Sequence, residues 1–489
     1  MQRAAWLLLM AMPVVAWCSP APPLASACTG CHGPEGAGSG IFPRIAGQPE
    51  VYLQKELEFF RSGALPSPMM QPVTKGLNDA DIASLAAHFS QLHPPYTPTV
   101  GTLSVAERFR GQQLVTSGDW QHDVPGCARC HGPDLGGVAP QIPALAGQSP
   151  QYMASTLRLF YQGMDVNAPH YFSVLIMSRV SKGLSDTDIQ AVTAYSAQLK
   201  PGEKPRPSRP VHDPAYKFSA QSPDDFQPPP ESAVPEGPDG DMIWAGLQVF
   251  ENTQSHARQY VGNALNCSNC HLDRGRRANS APMWAAYVTY PRYRSKTRQV
   301  NTLEERIQGC FRFSMNGRTP PTDSPEVRAL ISYFHWLATG LPVGITPKGA
   351  GYPQLPAPPQ PPDIQHGATV YAANCAMCHG TNGEGREAHG TEVFPPLWGP
   401  RSFNWGAGME RISTAAAFIK ANMPYGAGEM LTDQQAWDVA AFVVSHPRPQ
   451  DPRFTGSVET TRKLYHSHDS YYGRVVHGKL LGAPANSGE

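Results

Sequence analysis

The stretch Cys127-Ala128-Arg129-Cys130-His131 decides the fold, because its spacing recurs three more times in 489 residues. The other copies are Cys28-Thr29-Gly30-Cys31-His32, Cys267-Ser268-Asn269-Cys270-His271 and Cys375-Ala376-Met377-Cys378-His379. On a turn of helix, cysteines three apart share a face and reach both vinyl groups of a haem. The histidine that follows aims a ring nitrogen at the iron. A zinc site or a redox dithiol does not require that histidine in every copy. The pattern implies four covalently bound haem c groups, attached through Cys28, Cys31, Cys127, Cys130, Cys267, Cys270, Cys375 and Cys378. Their proximal iron ligands are then His32, His131, His271 and His379.

Outward from the first two copies, a second repeat supplies the far side of each iron. The chain reads Met69-Met70-Gln-Pro-Val-Thr-Lys-Gly-Leu77 after the first and Met177-Ser-Arg-Val-Ser-Lys-Gly-Leu184 after the second. The two align from methionine to leucine without a gap. That register sets Met70 against Met177 as distal ligands, with Met69 as the neighbouring alternative. Asn78 or Asp79, and Ser185 or Asp186, cap the closing helices, and Ile82, Leu85 and Ala86 follow at helical spacing. Each unit also has an Ala-Gly-Gln turn, at 46–48 and 146–148, so residues 28–92 and 127–199 are two copies of one unit. In the fourth unit Met423 stands at the distal position, and Lys420 and Met430 are the other candidates. A lysine ligates iron only once burial has deprotonated it. The closing helix there starts near Thr432-Asp433.

Charged residues make up 16% of the chain, beside 51 prolines and 45 glycines, which suggests short helices joined by irregular segments. Haem suits such a chain by supplying apolar core. Lysine plus arginine and aspartate plus glutamate both number 39, so no charge excess points to nucleic acid or an anionic membrane. Arg3, the apolar run Ala4–Trp17 and the Ala25-Ser26-Ala27 cleavage site read as an export signal, with a periplasmic destination and no stable membrane insertion. Cys18 after Trp17 is a poor lipoprotein site. Residues 201–238, with Pro228-Pro229-Pro230, read as an extended tether.

The expected fold is mostly α: four class I cytochrome c-like haem domains arranged as two dihaem halves joined by a Pro-rich linker. The expected boundaries are 1–27 (signal), 28–97, 98–200, 201–238 (linker), 239–345 and 346–489. The last includes a tail after Pro449, with His466, His468 and Tyr471-Tyr472, read as a strap over the final domain.

The third unit departs from the repeat. It has Cys310 39 residues after His271, where the first two units have methionines 38 and 46 residues after their histidines. A buried structural thiol is one reading of Cys310, and Met315 is a competing ligand. Position at ligand spacing favours Cys310 as a thiolate on the iron, which lowers the potential. Ser324-Pro325-Glu326 opens the closing helix. Arg274, Arg276, Arg277, Arg292, Arg294, Lys296, Arg298, Arg306 and Arg312 surround this segment, nine cations where two haem propionates need few. A small dianion is the natural guest of such a set.

With these residues in hand, the second half resembles the dihaem thiosulfate dehydrogenases that form tetrathionate. The resemblance runs from Asp241 to near the C-terminus. It rests on Asn266–His271, Tyr290-Pro291, Glu305-Arg306-Ile307, Cys310-Phe311, Ser314–Gly317, the fourth haem motif and Met423. The first 200 residues resemble dihaem cytochromes of the c-four type, so the chain looks like the enzyme fused to its electron acceptor. The resemblance implies Cys310 as distal ligand of the active-site haem, with Arg306, Ser314 and, more loosely, Arg294 around the bound anion. Asn422 stands where some members ligate with lysine, which implies plain His/Met ligation through Met423. It implies oxidation of two thiosulfates to tetrathionate, with electrons passed to a periplasmic acceptor such as a small cytochrome c, a high-potential iron-sulfur protein or a terminal oxidase. The rival readings are a tetrahaem shuttle without catalysis, an enzyme of another sulfur oxyanion, and a tetrathionate reductase.

Overall fold

The computed structural model describes residues 21–96, 101–163, 172–205, 209, 212–466 and 469–484. Most of the export segment (1–20) and His468 lie outside them. The described chain is predominantly helical, with four two-stranded antiparallel hairpins.

Three of the haem units are built on one crossing of helices. Val105–Thr116 packs on Asp186–Gln198, Pro238–Glu251 on Pro325–Leu337, and Ile364–Asn374 on Asp433–Val444. A glycine sits at each crossing. A Cβ on Gly111, Gly246 or Gly367 would fall 2.5, 2.1 or 2.1 Å from the carbonyl oxygen of Ala191, Ala329 or Asp438 respectively. Those distances are below any van der Waals contact, so only glycine lets the backbones meet. An aromatic residue on the closing helix covers each glycine: Tyr195, Tyr333 and Phe442.

The closing helices start where the sequence placed caps. Asn78, Ser185, Ser324 and Thr432 each accept from the backbone N–H of the residue three further on. Asp81, Asp188 and Gln435 return the bond to the cap, completing capping boxes at three of them.

The two N-terminal units face each other across a pseudo-two-fold axis. Gln148 accepts from the Arg44 N–H at 2.8 Å and donates to the Arg44 carbonyl, while Gln48 accepts from the Ala144 N–H at 2.9 Å and donates to the Ala144 carbonyl. Tyr52 and Tyr152 meet hydroxyl to hydroxyl at 3.5 Å on the same axis. The glutamines of the Ala-Gly-Gln turns thus join the two units, each bonding the backbone of the other.

The proline-rich segment differs from an extended tether. Phe226 and Val234 enter the core of the third domain. Arg276 donates to the carbonyls of Pro228 and Pro229, and Glu231 pairs with Arg274. The segment carries enough apolar and charged anchors between its prolines to be strapped down. The two halves also touch. Val138 and Ile142 of the second domain pack with Ala388 and Phe394 of the fourth, and Cys130 and Cys378 lie against this cluster. Arg129, inside the second haem motif, pairs with the buried Glu251 of the third domain, which also pairs with Arg274 at 3.0 Å.

Candidate functional site

Each motif histidine has its ring fixed in the same way. Nδ1 of His32, His131, His271 and His379 lies 2.8, 2.8, 2.7 and 2.8 Å from the carbonyl oxygens of Pro43, Pro143, Ala281 and Pro395. Nδ1 therefore carries the proton and Nε2 is the free donor atom, the tautomer an iron ligand requires. Burial lowers the pKa of all four imidazoles, His271 to about 4, which keeps them neutral and ligating. A continuous cavity of about 1220 Å³ is lined by His32, His131 and His379, by their cysteines, and by Met70, Met177 and Met423. Its walls are otherwise largely aliphatic and aromatic. This donor set fits covalent haem c.

Met69 also lines that cavity and caps the helix Met70–Thr74. In the fourth unit Met423 reaches the cavity. The Lys420 ammonium is instead engaged by the carbonyl of Leu431 at 2.8 Å and the Glu429 carboxylate at 3.1 Å, and Met430 packs with Val439 and Leu431.

The third site is built differently from the rest. In the other three the residue after histidine is a glycine at φ 76, 90 or 81°. Here Leu272 follows, and the left-handed residues are Asp273 and Arg274 at φ 49 and 55°. The helix Leu303–Gly309 runs straight into a π turn over Cys310–Ser314, closed by the Met315 N–H donating to the Cys310 carbonyl at 2.9 Å. One π turn in an α-helix widens it and re-aims a side chain, a device common at functional positions. Asn263 donates to the Ser314 carbonyl at 2.8 Å and Asn404 to that of Arg312 at 3.0 Å, so the turn is fixed within its own domain and to the fourth. Arg306, one turn before Cys310, donates from Nη1 to its sulfur at 2.9 Å. The charge of that sulfur raises the arginine's pKa. Cys267 and Cys270 are pushed up to about 12, by burial first and also by the nearby Cys310. Met315 is buried with Ile307 and Phe311 in the apolar core.

Beside Arg306 opens a pocket of about 270 Å³. The hairpin Arg292–Arg294/Gln299–Asn301 supplies Arg292, Arg294 and Lys296, and the π turn supplies Phe313 and Ser314. The far wall comes from the fourth domain: Gly406 to Gly408, Glu410, Arg411, Thr414, Arg453 and Tyr465. The structure thus brings Arg306, Arg294 and Ser314 into one pocket, with Cys310 reached through Arg306. Burial, then Arg453, Arg306 and Arg294, bring the Lys296 ammonium down to about 7.

The nine-cation cluster divides. Arg274 is consumed by Glu231 and Glu251, Arg276 binds proline carbonyls and lies over Trp336, and Arg277 pairs with Asp123 and stacks on Trp120. The left-handed turn after His271 sends them away from the pocket. Arg411, Arg453 and Tyr465 replace them there. They lie about 100 to 150 residues downstream of Cys310 by number, and no local signal announces them.

The cytochrome c family matches residues 24–93, 110–200 and 364–447, and the SoxA/TsdA cytochrome c domain matches residues 254–343. The chain is similar to a thiosulfate dehydrogenase of Thiomonas intermedia, 56% identical over 258 residues, covering 53% of this chain and 82% of the relative. It is also similar to a thiosulfate dehydrogenase electron acceptor of Stutzerimonas stutzeri, 37% identical over 179 residues, covering 36% of this chain and 81% of the relative. The solved structure of the thiosulfate dehydrogenase TsdBA from Marichromatium purpuratum superposes with a TM-score of 0.82 at 42% identity, over 93% of this chain and 95% of that one.

Proposed function

This chain belongs to the thiosulfate dehydrogenase family of c-type cytochromes, and we propose that it oxidises two thiosulfates to tetrathionate in the periplasm. It is a haem-based oxidoreductase acting on thiosulfate, fused to a dihaem electron-acceptor module. The observation that carries the reading is Arg306, which lines the cationic pocket and donates to the sulfur of Cys310.

The reaction forms one S–S bond between the outer sulfurs of two dianions and releases two electrons, with no proton exchanged. Arg306 and Arg294 hold the first anion through paired hydrogen bonds from planar guanidinium groups. Ser314 offers a hydroxyl on the same wall. The Cys310 sulfur bonds to the outer sulfur of the first thiosulfate with loss of two electrons, which bound haem would accept. The outer sulfur of the second thiosulfate then attacks that sulfur, breaking its bond to Cys310, so tetrathionate leaves and the cysteine thiolate is restored. The Arg306 hydrogen bond stabilises the cysteine sulfur as an anion in both roles.

Four haems would be held by the motif cysteines, with His32 and Met70, His131 and Met177, His271 and Cys310, and His379 and Met423 as the residues able to ligate iron, and would supply the electron-accepting chemistry. The packing orders their attachment sites. The third and fourth domains share the pocket and a core that includes Phe403 and Ala407; the fourth meets the second at Cys378 and Cys130; the second meets the first through Gln148 and Gln48. The expected recipient of the electrons is a periplasmic acceptor such as a small cytochrome c, a high-potential iron-sulfur protein or a terminal oxidase.

The test is anaerobic reduction of the haems by thiosulfate in wild type and in Cys310→Gly. Wild type is expected to reduce and to yield tetrathionate, and Cys310→Gly to fail while keeping its haems. Equal reduction in both refutes a role for Cys310.

A further inference from the structure

The wall that the fourth domain lends to the pocket contains an ordered ionic chain that the oxidation of one bound thiosulfate does not use. Arg453 donates from Nε and Nη2 to the two oxygens of Asp451, at 3.0 and 2.6 Å. Asp451 is wholly buried, and its carboxyl is held well below the usual range by Arg453 and His466 despite that burial. His466, whose side chain is also fully buried, reaches Asp451 from Nε2 at 3.1 Å and Glu410 from Nδ1 at 3.4 Å, and its pKa is raised by these two carboxylates. Tyr472 stacks on the His466 ring at 4.0 Å. The segment after Pro449 is therefore more than a strap, because it presents one guanidinium to the pocket in a fixed pose.

That guanidinium meets a second cation. Arg453 lies over the Phe313 ring at 5.0 Å and the Lys296 ammonium over the same ring at 4.1 Å. Phe313 is three residues from Cys310. Arg312 lies 5.4 Å from the same ring. Asp451 pairs with Arg453, Lys296 donates to the Gly406 carbonyl, and Glu410 is engaged by His466 and the Ser470 hydroxyl, so three cations share this ring with one carboxylate paired to them. Lys296 and Arg453 both line the pocket, so an anion bound there would offset their repulsion, as in oxyanion sites.

We propose that Arg453, positioned by Asp451 and His466, forms with Lys296 a second oxyanion subsite that takes the sulfonate of the second thiosulfate and holds the same end of the tetrathionate product. This rests on the thiosulfate reading of the pocket and names where its second substrate sits. Arg453 binds a sulfonate that does not react, so it contributes equally to ground and transition states.

The test uses the full-length protein with all its haems. Arg453→Gln is expected to raise the KM for thiosulfate at least about tenfold, the loss of a charge-assisted hydrogen bond, with kcat within about threefold. Tetrathionate as a product inhibitor weakens by a similar factor. Arg453→Lys keeps the charge without the fork and gives an intermediate KM; it also decides the matter if Arg453→Gln does not fold. Asp451→Asn and His466→Gln act through Arg453, so they raise KM in the wild-type background and change nothing further when added to Arg453→Gln. A folded Arg453→Gln protein with wild-type KM and unchanged tetrathionate inhibition overturns the subsite and leaves thiosulfate oxidation standing. A wild-type protein that does not oxidise thiosulfate removes both.

Discussion

Lys296 makes the pocket pH-sensitive in a direction that follows from its surroundings. Its ammonium is brought down to about 7 by burial and by Arg453, Arg306 and Arg294, against a weaker pull from Asp451. In the free pocket it therefore loses its proton across the neutral range. A bound dianion reverses this: at about 4 Å and an effective dielectric near 20, each unit of negative charge stabilises the ammonium by about 4 kcal/mol, or about three pKa units. Binding then takes up a proton, and affinity falls as pH rises through 7. The apparent dissociation constant scales as one plus the ratio of neutral to charged lysine, so KM grows about tenfold between pH 6 and pH 8. At pH 8, calorimetry in buffers of different ionisation enthalpy should register uptake of about one proton for the thiosulfate that binds beside Lys296 and Arg453. Lys296→Arg keeps its charge throughout and flattens the profile at low KM. Lys296→Met flattens it at high KM. A wild-type KM that stays level from pH 6 to 8, or a Lys296→Arg profile with the wild-type slope, refutes the reasoning. The second result assigns the slope to another group brought to about 7, Asp273, Glu392 or Glu56.

Glu251→Gln strands the guanidinium of Arg129 and leaves Arg274 with Glu231 alone; because Arg129 is about one-third exposed and can hydrate, the cost is set near the low end for a broken buried pair, about 3 kcal/mol. Limited trypsin digestion should then cut within residues 201–238 well before wild type, while thiosulfate still reduces the haem of the third domain. Gly246→Ala forces a methyl to within 2.1 Å of the Ala329 carbonyl oxygen, an overpacking of about 3 kcal/mol that should show as a lowered thermal midpoint. Gly101→Ala, with nothing within 4 Å of the added carbon, should leave that midpoint unchanged.

What the sequence revealed was local or repeated, and what it hid was long-range. The cysteine-histidine motifs, the caps at Asn78, Ser185, Ser324 and Thr432, and the Met70/Met177 register are set by residues a few positions apart, so spacing reports geometry. The Ala-Gly-Gln turns could be seen as a repeat, but their reciprocal bonding depends on two units meeting face to face. The crossing glycines were harder to read. Gly111, Gly246 and Gly367 lie 16, 21 and 8 residues before their first motif cysteine, because the connections between differ in length and hide the equivalence. The cation cluster was misjudged for a physical reason: outside a helix, adjacent arginines share no face. Two left-handed residues after His271 are enough to turn Arg274, Arg276 and Arg277 toward carboxylates and carbonyls elsewhere. Arg453 could not be found at all, since its place depends on how the fourth domain docks.

That docking explains why chemistry is assigned to the third site and to the seam beside it. Two thiosulfate dianions about 6 Å apart repel by about 11 kcal/mol at an effective dielectric near 20. A cation about 4 Å from one of them returns about 8 kcal/mol before desolvation is counted. One arginine therefore cannot bring the pair together, whereas two on each anion can, even after much of the Coulomb gain is lost to dehydration. The third domain alone offers Arg294 and Arg306 near Cys310, enough for the first anion. Lys296 lies on its hairpin but is aimed, over Phe313, at Arg453 of the fourth. The second anion thus requires both domains, and the same seam that gathers the cations joins the third attachment site to the fourth. Substrate pairing and electron removal then share one interface, which is a physical reason for the pocket to lie between two haem domains.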